Sequence, residues 1–386
     1  MMDEPNSAIR LAIARQRYNP YGGAERFVAR TLDALAREKA ISVTLLARDW
    51  SPAAESSTSW QWQRLNPFYL GRTWRDYSFM RAVQKISGDY TLLQSHERIP
   101  GANIFRAGDG VHATWLEQYA RVQHPLARLA TSLSPYHRFV CSAERKMFIH
   151  PALRCVICNS RLVRDDIERR FGLPAHKLAV VYNGVDTDAF SPKLSAQHRK
   201  QQRQIWQIPE DAPLLAFVGS GFKRKGLSTV LQALTVHSSP YLVVVGHDKH
   251  QQHYEHQAAA LGITSHVRFL GAIDDVRPVY GAADALILPT LYDPFPNACV
   301  EALACGLPLL TSPTCGAAEW LTNNENGWVV DALEVNGYRA ALASWLEKIS
   351  LPDVYCRVKE SARNTALPHT LNAMAKNLTD LYRFVV

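Results

Sequence analysis

The chain has no unbroken apolar run long enough to cross a bilayer, so it offers no candidate for a helical membrane span. It also has no low-complexity tract and no repeat of solenoid length, which excludes fibrous and array architectures. Its opening, MMDEPNSAIRLAIARQ, is acidic and runs straight into a strand-like segment, so no signal peptide is expected. Cysteine is sparse: seven residues, an odd number without framework spacing, as expected of reduced thiols in a cytosol. Cys155 and Cys158 have the CxxC spacing. They lie in an apolar strand without a second pair or nearby His, and so read as core residues, not zinc ligands. Charge is moderate at 20%, against 47% hydrophobic residues, which describes a globular and not a disordered chain. At 386 residues the chain exceeds what one core usually serves, so two domains are expected.

The charge is unevenly shared. Residues 1–190 carry 26 Lys and Arg against 18 Asp and Glu, an excess of +8 equal to that of the whole chain. Residues 191–386 balance at 17 against 17. An anionic partner of the first half follows, whether membrane headgroups, a phosphorylated acceptor or nucleic acid; an Arg-rich solvated surface is the plainer alternative.

Short apolar runs alternate with helix-like stretches throughout. The first half holds IRLAIA, ISVTLLA, YTLLQSH, NIFRAG, CVICNS and LAVVYNG; the second holds LLAFVG, YLVVVG, VRFLG, ALILPT, PLLTS and WVV. Near-continuous apolar strands between amphipathic helices indicate parallel sheets covered on both faces. Six per half fits two doubly wound α/β domains better than one very wide sheet. The break falls between VYNGVDTDAFSPK and APLLAFVG, across the polar stretch LSAQHRKQQRQIWQIPEDA. Ligands of open α/β sheets bind beyond the carboxyl ends of the strands, which places the expected site in a cleft between the domains.

Several segments at those strand ends carry chemistry. NPYGGAER follows the first strand, and Gly22-Gly23 lets the backbone approach a ligand at a helix start; an ordinary βα turn is the alternative. VGSGFKRKGLST is not a P-loop, because Leu227 follows Gly226, but Lys223, Arg224 and Lys225 beside a helix start suit a diphosphate. A solvated basic turn would look the same. RAGDGVHATW sets Asp109 and His112 just past a strand, where either orients an acceptor or takes a proton, unless Asp109 is only a helix cap. YNGVDTDAF reads as a turn signal. Residues 115–148 mix aromatics with Arg121, Arg128, Arg138, Arg145 and Lys146. That mixture suits an interfacial surface on anionic lipid, or a pair of core-packing helices with basic outer faces.

The stretch PTLYDPFPNACVEALACGLPLLTS holds two acids in an otherwise apolar run. Asp293 falls on the loop after a strand, and Glu301 about one turn into the following helix. Carboxylates accept hydrogen bonds from vicinal hydroxyls, and the N–H groups of Asn297 and Ala298 at the helix start face the same space.

Taken in order, YGGAER, YNGVDTDAF, KRKG, VRFLGAIDDV, the block from ALILPT to CGAAE, and NENGWVV resemble the retaining glycosyltransferases of family 4. The resemblance spans most of the chain and implies the GT-B fold, two Rossmann-like domains. It implies an N-terminal acceptor-binding, membrane-facing domain over 1–190 and a nucleotide-sugar-binding domain over 191–367. Residues 368–386 would form a helix packing back on the first. The family's E-x7-E motif falls on Asp293 and Glu301, the first contacting donor-sugar hydroxyls and the second the ribose. Lys225 and Arg224 match its diphosphate-binding cations. Gly22, Gly23, Phe295, Pro296, Asn297 and Ala298 match other donor contacts. Asp109 falls near the reacting sugar as positioning group or nucleophile, with Glu25, Arg26 and His112 on the acceptor side. Two departures stand out: Asp293 replaces the usual Glu, and Ser220 replaces the Arg that often follows the strand glycine.

The resemblance further implies hexose transfer, with glucose from UDP-glucose, to a phosphorylated glycolipid such as the heptose of lipopolysaccharide inner core. No cofactor or metal is expected, nor a nucleic-acid partner. The expected protein is a monomer, cytoplasmic and peripheral on the inner face of the membrane through residues 115–148. The alternatives are a family 4 transferase using UDP-GlcNAc, UDP-galactose or GDP-mannose for O-antigen or exopolysaccharide assembly, and a non-catalytic nucleotide-sugar-binding protein.

Overall fold

The computed structural model describes residues 9–16, 41–49, 60–235 and 240–385. The chain divides into two compact units, Met1–Tyr182 with Asn372–Val386, and Asn183–Leu371. Each is built on a parallel sheet.

In the first unit the strands are β1 Ile9–Ala14, β2 Ile41–Ala47, β3 Gln61–Arg64, β4 Leu92–Ser95, β5 Ile104–Ala107, β6 Cys155–Cys158 and β7 Leu178–Val180. Their order is β3-β2-β1-β4-β5-β6-β7, and every pairing is parallel. All four residues of β4, β5 and β6 are buried. Successive side chains point to opposite faces, so both faces of the sheet are covered, as the continuous apolar runs require. Helices supply the cover: Phe79 and Val83 of Gly71–Ile86 pack with Ala12, Leu46 and Leu93, and Met147, Phe148, Val163 and Ile167 pack with Phe105 and Val156. The helix Arg161–Phe171 shows how local sequence bounds an element: Ser160 Oγ accepts from Val163 N at its start, and Gly172 closes it at φ 65°.

The edge strand β3 was absent from the sequence reading. Its residues, QWQR, are all exposed, so no apolar run marks it. The C-terminal helix Leu371–Val385 joins this unit from Asn372 onward, with Tyr382 Oη donating to Gln94 Oε1 of β4 at 2.5 Å. Cys155 and Cys158 sit in the buried β6, where burial pushes their thiols up to about 11 and about 12.

The second unit contains β8 Leu214–Val218, β9 Tyr241–Val245, β10 Val267–Gly271, β11 Ala285–Leu288, β12 Leu309–Thr311 and β13 Gly327–Val329. The order is β10-β9-β8-β11-β12-β13, all parallel. Both sheets therefore reverse their winding at one place, between β1 and β4 in the first unit and between β8 and β11 in the second. Loops leaving these strands at their carboxyl ends diverge there and leave room for a ligand.

Candidate functional site

In the second unit the loops after β8 and β11 meet at the reversal point. After β8, Gly219–Gly221 lead into one helical turn, Phe222–Lys225. Phe222 is buried edge-on against Phe217 (5.9 Å between centroids) and Tyr254 (5.5 Å), which anchors the turn. Lys225 then runs back over Gly219, where a Cβ would lie 3.1 Å from Lys225 Cε. Its Nζ reaches Asp293 Oδ2 at 2.5 Å, and Arg224 Nη1 reaches the same oxygen at 2.7 Å. Gly226 lets the two loops touch. Its φ is +78°, and a Cβ would lie 2.0 Å from the Pro289 carbonyl oxygen, so no other residue fits without moving the backbone.

Asp293 is held from the backbone as well. Its N–H donates to Thr314 O (3.1 Å) and its carbonyl accepts from Gly316 N (2.9 Å). Burial alone would raise its carboxyl, but Lys225 and then Arg224 outweigh that and hold it below the usual carboxylate range. The acid expected against sugar hydroxyls and the cations expected against a diphosphate are thus one ion cluster of net charge +1. This coupling was not foreseen.

Glu301 is buried in the helix Asn297–Ala304 and accepts from Tyr280 Oη at 3.0 Å. Burial and the neighbouring Glu301 push the Tyr280 hydroxyl well up, so it remains a donor. Asn183 fixes the start of this helix: its Nδ2 donates to Asn297 Oδ1 (2.8 Å) and to Phe295 O (3.1 Å). The Asn297 and Ala298 N–H groups belong to the first turn, where no intrahelical acceptor exists. Pro296 precedes them, and the Phe295 ring packs edge-on against Trp320 at 4.6 Å.

In the first unit, Asp109 sits past β5 with its side chain 54% exposed. Its Oδ2 lies 3.8 Å from Arg15 Nη1 and 3.7 Å from Arg98 Nη1. Arg98 Nη2 donates to Gly110 O (3.0 Å), and Arg98 Nε lies 3.4 Å from the buried Glu144. Both Glu144 oxygens accept from His112 N at 3.2 Å, capping the helix His112–Ala120. The sequence reading missed Arg15, Gln16, Glu97 and Arg98. They are the polar residues just past β1 and β4, a signal that becomes specific only once the strand order is known. Gly22, Gly23, Glu25 and Arg26 lie outside the described residues.

His112 does not line the opening beside Asp109. Its ring stacks on Trp115 (5.5 Å) and His137 (5.2 Å), with Nε2 3.0 Å from His137 Nδ1. Burial foremost, then Arg98, His137 and Arg72, push it down to about 3. A folded-state value below the unfolded one means the neutral form is favoured by folding. Its share of stability is therefore complete above the unfolded value near 6.5 and is lost progressively as pH falls from there toward 3. Urea midpoints measured from pH 7 to 5 are expected to fall, and His112→Phe, which keeps the stack, is expected to make the fall shallower.

The segment 115–148 forms three helices, His112–Ala120, Pro125–Leu133 and Pro135–Phe148. The middle one buries nothing. Leu126, Leu129 and Leu133 share one face and are all exposed, and Arg121, Arg128, Arg138, Arg145 and Lys146 of the same segment are exposed as well. The helix Pro135–Phe148 buries Val140, Ala143, Met147 and Phe148 while Arg138, Arg145 and Lys146 stay exposed, so the core-packing description with a basic outer face holds for it and fails for Pro125–Leu133.

The family described as Glycosyltransferase Family 4 matches residues 21–189, and that described as Glycosyl transferases group 1 matches 198–365. The lipopolysaccharide core biosynthesis glycosyltransferase LpsE of Rhizobium meliloti (strain 1021) is 30% identical over 327 residues, 83% of this chain and 84% of that protein. The chain belongs to glycosyltransferase family 4. The lipopolysaccharide glucosyltransferase WaaG of Escherichia coli (strain K12) is 28% identical over 239 residues. That match covers 60% of this chain and 62% of WaaG, less than two thirds of its length. A crystal structure of WaaG, a glycosyltransferase involved in lipopolysaccharide biosynthesis, superposes with a TM-score of 0.80 at 22% identity, covering 96% of this chain and 99% of that one. The family's GT-B pattern of two parallel-sheet Rossmann-like domains is the fold described above.

Proposed function

We propose that this family 4 member transfers a hexose, glucose from UDP-glucose, to a glycolipid acceptor of the lipopolysaccharide inner-core type, with retention at the anomeric carbon. The observation that carries the reading is the Lys225–Arg224–Asp293 cluster at the winding reversal of the second unit, beside a helix start. Its net positive charge suits a diphosphate, and two preorganised donors stabilise that group as it leaves. Lys225 and Arg224 serve as the counter-charge, so the proposal includes no metal cofactor. Glu301 grips the ribose, and Asp293 both holds Lys225 in place and faces the sugar hydroxyls. Asp109 positions the reacting groups, while a front-face attack lets the departing diphosphate oxygen take the acceptor proton. Glucose and the lipopolysaccharide acceptor are supported by the names of LpsE and WaaG. Incubating the purified protein with labelled UDP-glucose, UDP-GlcNAc, UDP-galactose and GDP-mannose, with and without truncated core lipopolysaccharide, tests this. Acceptor-dependent consumption of UDP-glucose above the others is expected; UDP binding without turnover of any donor would instead establish a binding protein.

We further propose that the protein docks on the inner face of the cytoplasmic membrane through the helix Pro125–Leu133. Among the described residues no helix is long and apolar enough to cross a membrane. An exposed Leu stripe in a segment with exposed basic side chains suits the headgroup–acyl boundary of anionic lipid. Co-sedimentation with vesicles containing anionic lipid is expected, falling about tenfold or more when Leu126, Leu129 and Leu133 are all changed to Ser.

A further inference from the structure

The chain passes between its two units twice, from Tyr182 to Asn183 and from Leu371 to Asn372. On the second-unit side the two passages lie against each other. Val185 N donates to His369 O (2.9 Å), Leu371 N donates to Val185 O (3.2 Å), and Val185 pairs with Thr370 as an isolated parallel bridge. Gly184 permits the approach, since a Cβ there would lie 2.7 Å from the Thr370 carbonyl oxygen.

Both passages also reach the loop 293–297. From the first, Asn183 Nδ2 donates to Phe295 O and to Asn297 Oδ1. From the second, the His369 ring stacks on Trp320, with centroids 4.0 Å apart and planes at 15°, and Trp320 meets the Phe295 ring edge-on at 4.6 Å. Trp320 closes the short turn Gly316–Trp320, whose first residue donates to Asp293 O (2.9 Å). Its carbonyl accepts from Asn326 Nδ2 (3.0 Å), which also donates to Thr365 Oγ1 (2.8 Å) of the helix Pro352–Ala366. The loop is thus held at Asp293, Phe295 and Asn297 by residues outside its own motif.

That support matters because the helix Asn297–Ala304 has Pro296 at its N-cap and no side-chain cap. Nothing within the helix fixes where its first turn begins, so the groups that hold Phe295 and Asn297 do. Burial lowers the pKa of His369, which keeps the stacked ring neutral at neutral pH, so it acts by shape and not by charge.

We propose that His369 and Trp320 are positioning residues of the donor site: their stack against Phe295, together with Asn183, sets where the loop 293–297 presents Asp293 and the helix start. That this loop receives a nucleotide sugar rests on the transferase reading; that the stack holds the loop does not. Coupling between two places is reciprocal, so a ligand that orders the loop also orders the stack.

Amide hydrogen exchange on the full chain, with and without UDP, tests this. Without UDP, His369→Ala is expected to speed exchange across residues 293–299 about fivefold or more, the effect of losing one stacked pair. His369→Phe keeps a flat ring and is expected to stay within about twofold of the wild type. UDP affinity, measured by calorimetry, is expected to follow the same pattern, about fivefold weaker for Ala and within about twofold for Phe. UDP is expected to slow exchange at residues 369–371 in the wild type and in His369→Phe but not in His369→Ala. Unchanged exchange across 293–299 in His369→Ala, or faster exchange throughout the second unit, would overturn the inference. So would UDP affinity that does not follow the loop, UDP binding that leaves 369–371 unaffected, or an equal loss in His369→Phe. A wild type that fails to bind UDP, while His369→Ala still loosens the loop, would strike the transferase reading alone.

Discussion

Lys225→Ala is expected to lower turnover of the donor by about two to three orders of magnitude, the usual effect of removing one preorganised donor from a developing anion. The reason is placement. Lys225 is buried, lies over Gly219 and ends 2.5 Å from Asp293, so its charge is fixed before any donor arrives. Arg224 is not expected to take over, because its side chain is 37% exposed where that of Lys225 is 7% exposed, so its charge is the more screened by solvent. Lys225→Arg is not expected to rescue. The Lys225 side chain is 7% exposed and its ammonium already sits 2.5 Å from Asp293, whereas a guanidinium is planar and longer. The loss should fall on kcat more than on KM, and the comparison of the two in steady-state kinetics checks it. An unchanged kcat would remove Lys225 from the chemistry.

Glu301→Ala is expected to raise the dissociation constant for UDP about a hundredfold. A carboxylate that accepts from two ribose hydroxyls contributes roughly 1.5–3 kcal/mol per charged hydrogen bond, and a single such bond lost is already tenfold or more. Part of any change has another origin, since the buried Tyr280 hydroxyl donates to Glu301 at 3.0 Å and would be left with its longer contact to the Ala298 carbonyl at 3.4 Å. Tyr280→Phe separates the two effects: it keeps the carboxylate and should leave UDP affinity within a few fold. Calorimetric titration of UDP into both variants is the measurement. Equal losses in the two would mean that Glu301 acts by supporting the fold and not by holding ribose.

Both predictions depend on features that differ in how well the sequence shows them. The twelve apolar strands were legible because a sheet covered on both faces leaves continuous Val, Ile and Leu runs. The strand Gln61–Arg64 was not, because an exposed edge imposes no such run. Asp293, Glu301, Lys225 and Asp109 could be placed at strand ends from their position after apolar segments. That Lys225 and Asp293 share a hydrogen bond across 68 positions could not, since it follows from β8 and β11 being neighbours. The same holds for Gln16 and Glu97, which are ordinary polar residues until the order β1-β4 brings their loops together. His112, placed by its position as a group to orient an acceptor or take a proton, stacks on Trp115 and His137 and is absent from the wall of the opening beside Asp109, and burial foremost favours its neutral form.

The central claim is transfer with retention from a nucleotide sugar gripped at the Lys225–Asp293 cluster. It is tested most directly by incubating the protein with UDP-[13C]glucose and heptose-terminated core lipopolysaccharide and reading the new anomeric signal by NMR. An α-linked glucose, formed by the wild type and absent with Lys225→Ala, is the predicted result. A β-linked product, or one that forms equally well without Lys225, would contradict the account.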